Sequence, residues 1–131
     1  LKMMKEAGFG AIRVPITWYQ EMDADGKVND AWMKRVKEVV DYVIDNGMYC
    51  IINVHHDTGA DSGNYKSWLK ASTSSYNTNK AKYEGLWKQI AEQFKDYDQI
   101  LLFESYNEML DEKNTWNEPV DKTDGYKAIN S

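Results

Sequence analysis

Apolar positions along the chain follow two patterns that take turns. Leu1, Met4 and Ala7 fall at helical spacing, and Gly8 follows where a C-terminal cap belongs. The run Gly10-Ala11-Ile12-Arg13-Val14-Pro15 is short, partly β-branched and stopped by proline, which predicts a strand. Trp32, Val36, Val39, Val40, Val43 and Ile44 then mark one face of a helix, with Asn29 or Asp30 to cap its start and Gly47 its end. Tyr49 to Val54 is apolar except for Asn53 and predicts a strand buried on both faces. From Asp57 to about Asn77 the composition predicts a long loop, which carries Tyr65, Trp68 and Tyr76. Tyr83, Leu86, Trp87, Ile90, Ala91 and Phe94 predict a third helix, and Ile100 to Tyr106 a third strand. A polar tail from Asp111 to about Asp124 reads as irregular, with a further helix starting at Tyr126 to Ile129.

Strands that begin near Ala11, Tyr49 and Ile100 are separated by a helix each time, so the order implies a parallel sheet with right-handed crossovers. Three parallel strands leave open edges. They belong either to a doubly wound sheet or to a (β/α)8 TIM barrel. A barrel typically takes about 250 residues, and the chain has 131. The fold class is therefore α/β.

Composition narrows the function classes. Sixteen Lys and Arg against 21 Asp and Glu give a net charge of −5. No basic cluster offers a nucleic-acid surface. A mean hydropathy of −0.72 and the lack of any long apolar run argue against a membrane span. Five Trp and nine Tyr suit a surface that stacks on flat ligands such as sugar rings, although such residues also fill cores. A single cysteine, Cys50, excludes an internal disulfide and reads as a buried thiol. No signal peptide stands at the start of this segment.

In both candidate folds chemistry gathers at the carboxyl ends of the strands. Arg13 and Trp18 follow the first, His55, His56 and Asp57 the second, and Asn107 and Glu108 the third. Apolar neighbours would raise the pKa of Glu108 and let it donate a proton near neutral pH. Asn107 can donate to a sugar hydroxyl. Arg13 in a barrel interior needs a carboxylate partner, either for catalysis or for stability. Glu104, within the third strand, either points into the barrel to pair with a cation or is structural. Adjacent strand residues point to opposite faces, so His55 and His56 suit a shared metal poorly, and no metal is expected. One of them is expected to hydrogen-bond a sugar or a carboxylate. Trp18, Tyr65, Trp68 and Trp116 are candidate sugar platforms or loop anchors.

Leu1-Lys2 through Gly8-Phe9, Ile12-Arg13-Val14-Pro15 and Trp18, then Ile51-Ile52-Asn53-Val54-His55-His56-Asp57, then Leu102-Phe103-Glu104-Ser105-Tyr106-Asn107-Glu108 resemble, in order and spacing, the barrel of glycoside hydrolase family 5. The resemblance implies strands two to four of the barrel, with residues 1–131 as a fragment of one catalytic domain that lacks the first strand and the C-terminal half. It implies a secreted retaining endo-β-1,4-glucanase without cofactor, a monomer when complete, whose partner is a β-glucan. Glu108 matches the acid/base, Asn107 the residue that binds the sugar beside the scissile bond, and Arg13 the support of the nucleophile. His55 matches the family's active-site histidine, and His56 one found in some branches. The nucleophile is expected on a later strand, outside this chain. Met109 stands where the family usually has proline, which bears on subsite shape. Xyloglucanase, xylanase and mannanase remain as alternatives, as do a non-catalytic glycan-binding fragment and a metallohydrolase built on His55, His56 and Asp57.

Overall fold

The computed structural model describes residues 1–64 and 66–116. Helix α1 (Lys2–Glu6) leads into strand β1 (Ala11–Val14), helix α2 (Asp30–Asp45), strand β2 (Tyr49–Asn53), helix α3 (Thr73–Gln93) and strand β3 (Leu101–Glu104). The strands form one parallel sheet in the order β1-β2-β3. Register sets Arg13 beside Ile51, Ile51 beside Leu102, and Asn53 beside Glu104. This is the expected βα repetition.

Helix α2 forms where the apolar spacing requires it. Asn29 caps it by accepting from the Ala31 amide at 2.8 Å. Its end needs a residue free to turn left-handed, and Gly47 supplies that at φ +71°. Met33, Val36, Val40 and Val43 are buried against the sheet, where Cys50 and Ile52 are also buried. Burial of each such side chain is worth about 1.5–3 kcal/mol. The Cys50 thiol is pushed up to about 11 by that burial, as an inert core sulfur should be.

Helix α3 starts earlier than its composition suggests. Thr73 to Asn77 are helical, not loop, because the Ser72 side chain accepts from the Ser75 amide and opens the helix there. Leu86 and Ile90 form its buried line and Phe94 follows, whereas Ala91 is exposed. A 3-10 turn (Tyr19–Glu21) and an antiparallel bridge between Met22 and Val28 fold the β1–α2 connection, a feature without a clear sequence signal. No helix among the described residues is long and apolar enough to cross a membrane. Tyr65 and the proposed helix at Tyr126 to Ile129 lie outside the described residues.

Candidate active site

One face of the sheet packs on the helices. The other carries Arg13 from β1, Asn53 from β2 and Glu104 from β3, all near the strands' carboxyl ends. Arg13 Nε donates to Glu104 Oε2 at 2.7 Å and Arg13 Nη2 to Glu104 Oε1, a bidentate pair. Nη2 also donates to Asn107 Oδ1 at 2.9 Å. The hydrogen bond from Arg13 holds the Glu104 carboxyl below the usual carboxylate range, against the opposing effect of burial. The same bond raises the guanidinium pKa further.

Beyond β2 the chain turns, and His55 and His56 follow. Their rings meet edge to face with centroids 4.7 Å apart. The expectation that they point to opposite faces fails because β2 ends at Asn53, so strand alternation no longer applies at 55 and 56. Burial, then the neighbouring charges of His56 and Arg13, lower the His55 pKa against Glu104 and Glu108. His56 is exposed.

Asn107 is tied to the neighbouring strand's end by its amide, which donates to the Val54 carbonyl at 2.8 Å. Among the described residues Glu108 is exposed. Its charge acts on both Arg13 and His55. The loop after β2 passes close by: Gly59 adopts φ +89°, which a side chain would strain, and a Cβ there would sit 3.7 Å from the Glu108 carbonyl.

Trp18 is not a sugar platform. It has no exposed surface, and its indole Nε1 donates to the Asn53 carbonyl at 2.9 Å. Trp68 is half-buried, with Nε1 on Asp57 Oδ1 at 2.7 Å and the Lys82 ammonium 5.0 Å over its ring. Trp116 is 57% exposed.

Asp57 is fully buried, and its oxygens accept from the amides of Trp18 and Tyr19, both at 2.8 Å, as well as from Trp68. With those oxygens engaged, a metal set of His55, His56 and Asp57 is disfavoured. Among the described residues no group of three or more His, Cys, Asp or Glu is placed to hold a metal ion.

Asn53 was visible in the sequence only as an interruption of an apolar run. In the structure it is fully buried and central: its side chain touches Glu104, His55 and the Ile16 amide. A polar residue on the inward face of a buried strand is the signal that identifies it.

The family model for cellulase (glycosyl hydrolase family 5) matches residues 1–131. The chain belongs to glycoside hydrolase family 5. It is 44% identical over 110 residues to the cellulase/esterase CelE of Acetivibrio thermocellus, an alignment that covers 82% of this chain and 12% of that protein. It is 45% identical over 105 residues to endoglucanase A of Clostridium longisporum, covering 80% and 19%. Against a broad-specificity endoglucanase from an uncultured bacterium the TM-score is 0.93 at 67% identity, covering 98% of this chain and 37% of that one. A glycoside hydrolase family 5 enzyme from Prevotella bryantii gives 0.90 at 53% identity, covering 98% and 36%. The chain thus spans less than a fifth of these two curated relatives and a little over a third of these solved chains. The fold is part of the (β/α)8 TIM barrel, and the face that carries Arg13, Asn53 and Glu104 lines its interior.

Proposed function

We propose that the protein carrying this chain is a retaining endo-β-1,4-glucanase with Glu108 as its proton donor. The observation that carries the reading is the cluster at the strands' carboxyl ends. Glu108 is exposed there, electrostatically close to Arg13 and His55, and next to Asn107, whose amide oxygen is held by Arg13. That bond leaves the Asn107 NH2 to donate to a sugar hydroxyl.

The reaction is a double displacement. A second carboxylate, from a strand outside this chain, attacks the anomeric carbon while Glu108 protonates the departing oxygen. Glu108 then takes a proton from water as the glycosyl–enzyme bond is hydrolysed. Retention requires the two carboxyl groups about 5–5.5 Å apart. Arg13 holds its carboxylate partner ionised and in place, and His55 and His56 contact substrate.

The substrate class extends to branched glucans. One solved relative is described as a broad-specificity endoglucanase, and the Prevotella bryantii enzyme has been solved in complex with a xyloglucan tetradecasaccharide. The polymeric glucans that an endoglucanase cuts are too large to cross a cell membrane intact, which supports a secreted location. The complete barrel is expected to act as a monomer.

Glu108→Gln in the full-length protein tests the reading. Turnover of glucan is expected to fall about 10²–10⁴-fold, the usual worth of general acid–base help. A substrate with a good leaving group needs no proton in the first step and falls less, and azide restores its turnover. Equal losses on both substrates, with no rescue, overturn the assignment.

A further inference from the structure

Asn53 ends β2 with no exposed surface, yet its side chain meets three polar groups. The Ile16 amide donates to Asn53 Oδ1 at 3.2 Å. Asn53 Nδ2 donates to Glu104 Oε1 at 2.9 Å and lies 3.2 Å from His55 Nδ1. A backbone N–H can only donate and an ionised carboxylate can only accept. These two partners fix the orientation of the amide: oxygen toward Ile16, nitrogen toward Glu104 and His55. The carboxyl is ionised because Arg13 grips it on both oxygens.

The second hydrogen of Nδ2 therefore faces His55 Nδ1. A proton on Nδ1 would set two donors against each other in a part-buried site. We propose that Asn53 is a positioning residue that holds His55 in the neutral Nε2–H tautomer, so that the ring presents an N–H donor from Nε2. Because Asn53 is also bonded to Glu104, and Glu104 to Arg13, the tautomer of His55 is tied to the same chain of hydrogen bonds that orients Asn107.

The charged and titratable groups that bear on His55 come from three segments. Arg13 on β1 and His56 beside it oppose protonation, while Glu104 on β3 and Glu108 beyond it favour it. The contact with Nδ2 decides which nitrogen carries the single proton of the neutral ring. A neutral N–H donor can bond a sugar hydroxyl without placing another cation beside Arg13. That catalytic use rests on the function proposed above; the tautomer does not.

The test is NMR of the full-length protein carrying isotopically labelled histidine nitrogens, with His55 assigned by its loss in His55→Gln. The expected spectrum at neutral pH shows an unprotonated Nδ1 and a protonated Nε2. Asn53→Asp places an acceptor against Nδ1, so the proton moves there and His55 titrates at higher pH. Asn53→Ala removes the constraint and gives mixed tautomers. Turnover in Asn53→Asp falls about 10–100-fold, by analogy with partners that orient metal-ligating histidines, with KM less affected. A protonated Nδ1 in the wild type overturns the inference, as does an Asn53→Asp protein with the wild-type tautomer. The wild-type spectrum decides even if a variant does not fold. The Nε2–H tautomer in a protein inactive on glucans supports the inference and overturns the proposed function.

Discussion

Glu104 and Asp57 are two carboxylates at the carboxyl ends of the same sheet, and their surroundings push them in opposite directions. Glu104 is 32% exposed and faces a full positive charge, the forked guanidinium of Arg13. Its pKa is lowered, because that bond outweighs burial. Asp57 is fully buried and faces only neutral dipoles, two backbone amides and an indole N–H. Its pKa is raised, because burial outweighs those hydrogen bonds. The contrast separates two jobs. The Arg13–Glu104 cluster keeps charge at the cleft face, where a reaction can use it. Asp57 is sealed away, and its bonds pin the loop after β1, at Trp18 and Tyr19, to the loop after β2, at Trp68.

The largest effect that tests this division is on stability at Asp57. Asp57→Ala in the full-length protein leaves three donors without acceptors, the buried Trp18 amide and the part-buried Tyr19 amide and Trp68 indole N–H. A buried orphan costs about 1–3 kcal/mol and a part-buried one less, because water can reach it, so a loss of about 2–3 kcal/mol is expected in urea unfolding. The turnover of the remaining folded protein should change little. A collapse of kcat at unchanged stability would move Asp57 into the reacting group.

Arg13→Lys is the mirror experiment. Lysine keeps the charge but loses the planar fork, so it cannot hold both Glu104 oxygens and Asn107 together. Turnover of glucan is expected to fall about tenfold or more, since small misplacements near the chemistry are costly. Stability is expected to change far less than in Asp57→Ala, because lysine keeps a charged partner for Glu104. Wild-type kcat with a lowered Tm would make the pair structural and erase the contrast.

How far each cluster could be read from the sequence follows from the same difference. Arg13, His55, Asn107 and Glu108 were legible because a parallel sheet displays its strand ends, and the strands were legible from short apolar runs. Helix α2 was legible because spacing and capping agree, with the choice of Asn29 over Asp30 as the cap left to the structure. Asn53 was not, since a single polar residue in an apolar run gives no hint of its partner; only register sets it beside Glu104. Trp18 was misread as a possible platform because an aromatic in a loop looks the same whether it points in or out. The first turn of α3 was hidden because Ser, Thr and Asn favour loops and caps alike.

The smallest effect is the most direct measure of the opposed shifts, and it is read as a difference between profiles. Glu104, with its folded pKa below 4.5, contributes stability that is full above about pH 4.5 and is lost as pH falls through the folded value. Asp57, with its folded pKa above 3.8, works the other way: its contribution is full below about pH 3.8 and is lost as pH rises through the folded value. Unfolding of the full-length wild type is therefore compared with Glu104→Gln and with Asp57→Asn, from about pH 7 down to about pH 3. Subtraction removes every group the substitutions leave untouched; His55 is not one, because Glu104 raises its pKa, so all three proteins are compared in a His55→Gln background. On acidification the wild-type advantage over Glu104→Gln should shrink, and its advantage over Asp57→Asn should grow. Slopes of the same sign would mean that the two carboxylates share one electrostatic environment in the complete barrel, and that exposure does not divide their roles.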